Sequence, residues 1–191
     1  MNRPTRPAQR NARCVLAACV LLATTIIVTA SGCAAVRAST PACRSLARLG
    51  LVAQSVPSAA YVPCVNDLPP GWSVPSFDVR RGSTQFALLS DRSQGHAVKV
   101  RLTGGCQTGR AEPTTSRGPG VQTFIRLSSI DPRYAGTLYD VFPGGCITYR
   151  FDLRRGPHIA LMQEFEDSVM LMPRHQLQSE LHTELGLQLQ P

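Results

Sequence analysis

The chain contains almost no lysine: among its 20 basic residues, Lys99 is the single lysine and the others are arginines. It also lacks the GxSxG and SxxK motifs of common hydrolases, a phosphate-binding glycine loop and a nucleotide-binding fingerprint. No CxxC pair and no Cys/His pair has the spacing of zinc ligands. The familiar hydrolase, nucleotide-binding and structural-zinc classes therefore have no support in the sequence, and we expect no cofactor.

Aromatic residues are scarce at 6%, and no segment interleaves them with basic residues as many nucleic-acid-binding proteins do. The formal charge of +8 is concentrated at the start of the chain, where four arginines precede residue 14. Beyond residue 32, 16 basic residues stand against 12 acidic ones, which leaves a net charge of +4. Because this balance is too weak to imply nucleic-acid binding, we expect no nucleic-acid partner.

Charge is absent altogether from residues 14–30, CVLAACVLLATTIIVTA, which follow the arginine-rich residues 1–13. A positively charged start followed by an apolar run is typical of a secretory signal, so we predict a signal peptide over residues 1–32. The run of 17 residues is also close to the shortest helix that spans a membrane. A single-pass N-terminal transmembrane anchor is therefore the alternative.

The small residues Ala30, Ser31 and Gly32 lead directly into Cys33. This segment resembles the lipobox of bacterial prolipoproteins, a family that usually has Leu, Val or Ile where this chain has Ala30. The resemblance covers the first 33 residues and implies cleavage before Cys33, with lipid attached to its sulfur. It implies an exported protein held on the outer face of the cytoplasmic membrane, with residues 33–40 as the lipidated cysteine and tether. An ordinary secreted protein is a further alternative.

Four cysteines remain when the two in the apolar run and Cys33 are set aside. An even number in an exported chain indicates two disulfides, with metal binding or free thiols as the alternatives. Of the three possible connectivities we favour Cys43 with Cys64 and Cys106 with Cys146. The last two cysteines share a context, because each follows two glycines beside a predicted strand, in LTGGC and FPGGC.

The spacing of apolar residues predicts a single α+β domain over residues 41–191. Leu46, Leu49 and Val52 repeat with helical spacing, and the pattern becomes helical again after residue 156. Between these segments the apolar residues alternate, which predicts strands over residues 85–90, 96–102, 121–127, 137–142 and 146–153. We expect an antiparallel sheet of about five or six strands, with an N-terminal helix and one or two C-terminal helices covering one face.

Basic residues recur on the polar side of three predicted strands, and we take them as the candidate site. They are Lys99, Arg101, Arg126 and Arg150. If these strands are neighbours, the exposed face carries a basic stripe that fits anionic phospholipid headgroups or acidic wall polymers. The alternative is that Asp140 and Asp152 lie on the same face and neutralise the stripe through cross-strand pairs.

Residues 107–120 contain no bulky apolar side chain and predict a flexible loop. The acidic cluster Glu164, Glu166 and Asp167, and the pair His175 and His182, are weak candidates for chemistry, because solvated polar residues are the far commoner explanation of such patterns. The sequence thus favours a membrane-anchored, non-catalytic binding domain of the cell envelope, whose partner is an envelope protein, an anionic lipid headgroup or a wall polymer. An envelope hydrolase using the loop as a lid, or its accessory domain, and a carrier of an apolar ligand are the alternatives.

Overall fold

The computed structural model describes residues 40–190. The predicted signal peptide, the lipidation site Cys33 and nearly all of the tether lie outside these residues. Among the residues described, no helix combines the length and the apolar character needed to cross a membrane.

Three helices and nine strands make up residues 40–190. In chain order they are α1 (Leu46–Ser55), β1 (Tyr61–Val65), β2 (Trp72–Arg80), β3 (Ser83–Ser90), β4 (Gly95–Thr103), β5 (Glu112–Thr114), β6 (Gln122–Ser129), β7 (Tyr134–Phe142), β8 (Gly145–Leu153), α2 (His158–Ser168), β9 (Val169–Pro173) and α3 (Arg174–Leu185). The predicted α+β class, with one N-terminal and two C-terminal helices, is confirmed.

Seven strands form one antiparallel sheet in the order β2-β3-β4-β8-β7-β6-β5. The five predicted strands correspond to β3, β4, β6, β7 and β8, and they form the uninterrupted centre of the sheet. The sheet exceeds the expected five or six strands because β2 and β5 add one strand at each edge. β1 and β9 form a separate antiparallel pair that the sequence did not indicate.

Strand β2 escaped prediction because its alternating pattern is interrupted. Trp72 and Val74 are buried, and a register shift then occurs between Ser73 and Ser76, where Pro75 lies. After a bulge of this kind, each side chain faces the opposite side of the sheet from the one that strict alternation predicts. The alternating pattern of apolar residues is therefore lost at the bulge. Proline is tolerated here because β2 is an edge strand and needs no hydrogen bonds on its outer side.

The three helices share one hydrophobic core with the apolar face of the sheet. From α1, α2 and α3 respectively, Leu49, Phe165 and Leu177 are fully buried. Phe165 packs edge-on against Tyr149 of β8, with ring centroids 5.4 Å apart. Each such buried side chain contributes roughly 1.5–3 kcal/mol to folding. These side chains therefore form a packed layer between the helices and the sheet.

Two disulfides join the chain, Cys43–Cys64 and Cys106–Cys146, and the connectivity matches the predicted pairing. Cys64 lies in β1 and ties the start of the described chain to the smaller sheet. Cys146 lies in β8, at the centre of the larger sheet, and holds the segment after β4. The two bridges thus stabilise different parts of the fold.

The 107–120 segment differs from the flexible loop that the sequence predicts, because it is held at several points. It contains β5, which pairs with the edge of β6. The Ser116 hydroxyl donates to the carbonyl oxygen of Val121 at 2.7 Å, and the Tyr61 hydroxyl donates to that of Pro119 at 2.5 Å. These contacts therefore anchor the segment to β6 and to Tyr61 of β1.

Candidate functional site

The polar face of the seven-stranded sheet brings the predicted basic residues together. Register places Lys99 of β4 directly opposite Arg150 of β8, and Arg101 opposite Thr148. On the far side of β8, Thr137 of β7 lies opposite Arg150. Neighbouring strands lie about 4.8 Å apart. The positive side chains of Lys99 and Arg150 therefore start from adjacent backbone positions on the same face of the sheet.

A groove of about 840 Å³ lies over this face, and three of the basic residues line it. We call it the basic groove and define it by Lys99, Arg101 and Arg150. Hydroxyl and amide side chains supply much of the remaining lining, namely Ser76, Gln85, Thr103, Gln107, Thr137, Tyr139 and Thr148. The groove therefore combines fixed positive charge with many hydrogen-bonding groups.

One side of the basic groove is formed by the segment that follows β4. Gly105, Cys106 and Gln107 line the groove there. The disulfide to Cys146 holds this segment against β8, with a distance of 5.7 Å between the two Cα atoms. The disulfide thus holds this part of the groove lining in place covalently.

The basic side chains of the sheet face are exposed and have no acidic partner. Within residues 40–190, no carboxylate oxygen lies within 4.0 Å of a side-chain nitrogen of Lys99, Arg101, Arg126 or Arg150. Asp78 also lines the groove, but its carboxylate pairs with Arg80 at 2.8 Å. The positive charge of the groove is therefore available to a ligand.

The alternative in which Asp140 and Asp152 neutralise the stripe is wrong for two different reasons. Asp140 lies on the opposite, core-facing side of β7, where it is fully buried and pairs with Arg117. Asp152 lies at the end of β8 and is shared by Arg133 and Arg154, at 3.4 and 3.7 Å. Neither carboxylate is engaged with the basic groove.

The buried Asp140 belongs to a polar cluster beneath the sheet. It accepts hydrogen bonds from the Thr123 hydroxyl at 2.8 Å and from Arg117 at 3.1 Å. Arg117 also donates to the carbonyl oxygen of Val169 at 2.7 Å, and its guanidinium carbon lies 4.9 Å from the ring centroid of Tyr149. Burial raises the pKa of the Tyr149 phenol well above its ordinary value, so the ring stays neutral. The cluster thus ties β6 and β7 to the loop that carries Arg117 and to the start of β9.

Arg126 lies on the same face but contributes to a different depression. It lines a smaller hollow of about 250 Å³ with Arg133, Ser128 and Asp152. Thr137 and Arg150 line both this hollow and the basic groove, so the two adjoin. The four predicted residues therefore divide into three in the groove and one beside it.

Glu164 of the acidic cluster is engaged in an ion pair, and the two histidines of α3 lie at the surface. Glu164 accepts hydrogen bonds from Arg92 and from the Trp72 indole, and the Arg92 contact chiefly lowers the pKa of that carboxyl group. His175 and His182 are exposed on α3. In the part of the chain that the structure describes, no three His, Cys, Asp or Glu side chains are grouped to hold a metal ion.

Sequence reasoning missed much of the uncharged lining, including Gln85, Tyr139 and Thr148. Gln85 and Thr148 do occupy polar positions in predicted strands, so the alternation that located the basic stripe was also the signal for them. Tyr139 and Thr137 are buried, although they lie on the polar face beside β8. Thr137 and Tyr139 are buried by neighbouring strands and by the segment after β4. The local sequence pattern does not show which segments will cover them.

Comparison with known proteins adds no assignment. No protein-family model matches the chain, and neither the curated proteins nor the solved structures include a significant match. The functional argument therefore starts from the basic groove.

Proposed function

We propose that this domain is a non-catalytic binding module of the cell envelope and that the basic groove binds an anionic, hydroxyl-rich wall polymer. The observation that carries the proposal is the direct cross-strand pairing of Lys99 with Arg150, without an acidic partner. Like charges opposite each other destabilise a sheet. A bound anion offsets this repulsion, whereas stability alone favours a neutral or oppositely charged pair.

The uncharged lining supports a polymer of sugar or polyol units over other anions. Hydroxyl and amide groups such as those of Thr148 and Gln85 donate and accept hydrogen bonds, which matches a ligand that carries many hydroxyls. The Tyr139 ring adds an apolar surface beneath them. A flat bilayer contacts protruding parts of a protein, while these cations line a groove, so we favour a chain-like ligand over a membrane surface.

The binding proposal is tested with heparin-derived oligosaccharides, which carry carboxylate and sulfate groups on a sugar backbone. We expect Lys99→Gln/Arg150→Gln to weaken binding about 30-fold, taking roughly 1 kcal/mol for each charge removed. Wild-type affinity should fall as salt is raised, because exposed charges are screened. Isothermal titration calorimetry at two salt concentrations measures both effects.

The matched control is Arg44→Gln/Arg48→Gln, which removes the same charge at exposed residues beside and within α1, away from the groove. We expect its affinity to stay within twofold of the wild type. Lys99→Gln/Arg150→Gln should also be slightly more stable than the wild type, since the cross-strand repulsion is gone. Equal loss of binding in both variants would show general charge attraction and overturn the proposal. Binding to phosphatidylglycerol vesicles but to no oligosaccharide would instead indicate a lipid partner.

We further propose that Cys33 carries a lipid that holds the domain at the outer face of the cytoplasmic membrane. The support is the run of small residues before Cys33 and the pairing of the four later cysteines with each other. Cells fed an alkyne-tagged fatty acid should label the full-length protein, and Cys33→Ala should abolish the label. A labelled Cys33→Ala protein, or an unlabelled wild type, would contradict the assignment.

A further inference from the structure

The smaller hollow beside the basic groove has the composition of a second anion-binding position. Three arginines line it, Arg126, Arg133 and Arg150, against a single carboxylate, that of Asp152. Asp152 is already shared by Arg133 and by Arg154, which lies outside the hollow. Two of the three arginines that line it, Arg126 and Arg150, are therefore left without an acidic partner among the residues described.

Register fixes how this hollow relates to the groove. Lys99, Arg150, Thr137 and Arg126 follow one another across β4, β8, β7 and β6 in a single row. With about 4.8 Å between strands, the backbone positions of Arg150 and Arg126 lie about 10 Å apart, and those of Lys99 and Arg126 about 14 Å apart. The row therefore carries positive charge at two positions, Lys99 with Arg150 and Arg126, and Thr137 lies between them.

Arg126 is exposed and lies beside the loop that contains Gly109. Its side chain is exposed, and one of its terminal nitrogens lies 3.8 Å from the point that a Cβ atom on Gly109 would occupy. Gly109 has a φ of +60°, a conformation that favours glycine. A Cβ atom there would be in ordinary van der Waals contact with the guanidinium, so the loop passes beside Arg126.

We infer that the ligand of the basic groove is an elongated polyanion that lies across the strands, with one anionic group at Lys99 and Arg150 and a second at Arg126, beside the Arg133–Asp152 ion pair. This inference rests on the proposed function and specifies its substrate class: a chain with repeated negative charges, rather than a molecule with one. Two linked contacts bind more tightly than either alone, because the second forms at high effective concentration.

The test compares N-sulfoglucosamine, a monosaccharide with one anionic group that reaches one position, with a heparin-derived octasaccharide, which extends along the row. We expect the wild type to bind the octasaccharide at least tenfold more tightly, beyond the statistical gain from its repeated units. Arg126→Gln/Arg133→Gln should remove most of this length-dependent gain. Lys99→Gln/Arg150→Gln should weaken binding of both lengths. Circular dichroism melts of each variant establish that it is folded.

The possible outcomes separate the two proposals. If both lengths bind the wild type equally well per unit, or if Arg126→Gln/Arg133→Gln retains the full gain, the second position is refuted while the basic groove stands. If Arg44→Gln/Arg48→Gln reduces the gain as strongly as Arg126→Gln/Arg133→Gln, the length dependence reflects general charge and the inference fails. If neither saccharide binds the wild type, both proposals fail.

Discussion

Replacing Arg117 with methionine should lower the free energy of unfolding by about 3–5 kcal/mol, the usual cost of removing one partner of a buried ion pair. Arg117 is largely buried, and its partner Asp140 is completely so. The substitution leaves the Asp140 carboxylate with the Thr123 hydroxyl alone. It also removes the donor that satisfies the carbonyl oxygen of Val169. Urea denaturation followed by the fluorescence of Trp72 measures the loss.

The double variant Arg117→Met/Asp140→Asn provides the control, because it removes the stranded charge as well. We expect it to recover part of the stability lost in Arg117→Met, since an unpaired buried carboxylate is the larger part of the penalty. A double variant less stable than Arg117→Met would mean that the ion pair is not the source of the effect. So would an Arg117→Met variant within 1 kcal/mol of the wild type.

Removing the second disulfide by Cys106→Ala/Cys146→Ala should cost about 4 kcal/mol, from the loop entropy of a bridge that closes 40 residues. The same change should also weaken oligosaccharide binding, because it frees the segment Gly105–Gln107 that lines the basic groove. Thermal melting and calorimetric titration, both carried out well below the melting temperature, measure the two effects separately.

The first disulfide is the matched control. Cys43→Ala/Cys64→Ala should cost about 3 kcal/mol, because its bridge closes 21 residues, and it should leave affinity unchanged. Neither Cys43 nor Cys64 lines the groove, and Cys64 belongs to the smaller sheet. If both variants lost affinity to the same extent, the binding effect would be one of global stability, and the role assigned to the Cys106–Cys146 bridge would be wrong.

The central strands of the sheet could be predicted because apolar and polar residues alternate along them in the sequence. In β8, Ile147, Tyr149, Phe151 and Leu153 alternate with polar residues, and all four are buried. The edges were not predictable, since Pro75 interrupts β2 and β5 has only three residues, all of them exposed. The pairing of β1 with β9 joins segments about 100 residues apart, and no local pattern carries that information.

The helices illustrate the same limit. In α3, leucines at every fourth position form a stripe, of which Leu177 and Leu181 are buried, whereas Leu185 is about half exposed. The stripe continues by spacing to the end of the helix, while the core that covers it stops one turn earlier. Burial depends on what packs against a residue, and spacing describes only the element to which the residue belongs.

The sequence by itself determined the class of fold, the expectation of two disulfides and the presence of basic residues on polar strand positions, because each depends on local alternation or on counting. It favoured the connectivity of the disulfides without determining it. The tertiary structure decided which of these residues meet. Only strand order sets β4 beside β8, so that Lys99 faces Arg150. Only the fold removes Asp140 to the core and commits Asp152 to Arg133 and Arg154. The basic residues form a site because strand register places Lys99 beside Arg150 and because the acidic residues pair elsewhere. Both facts depend on contacts between residues far apart in the sequence.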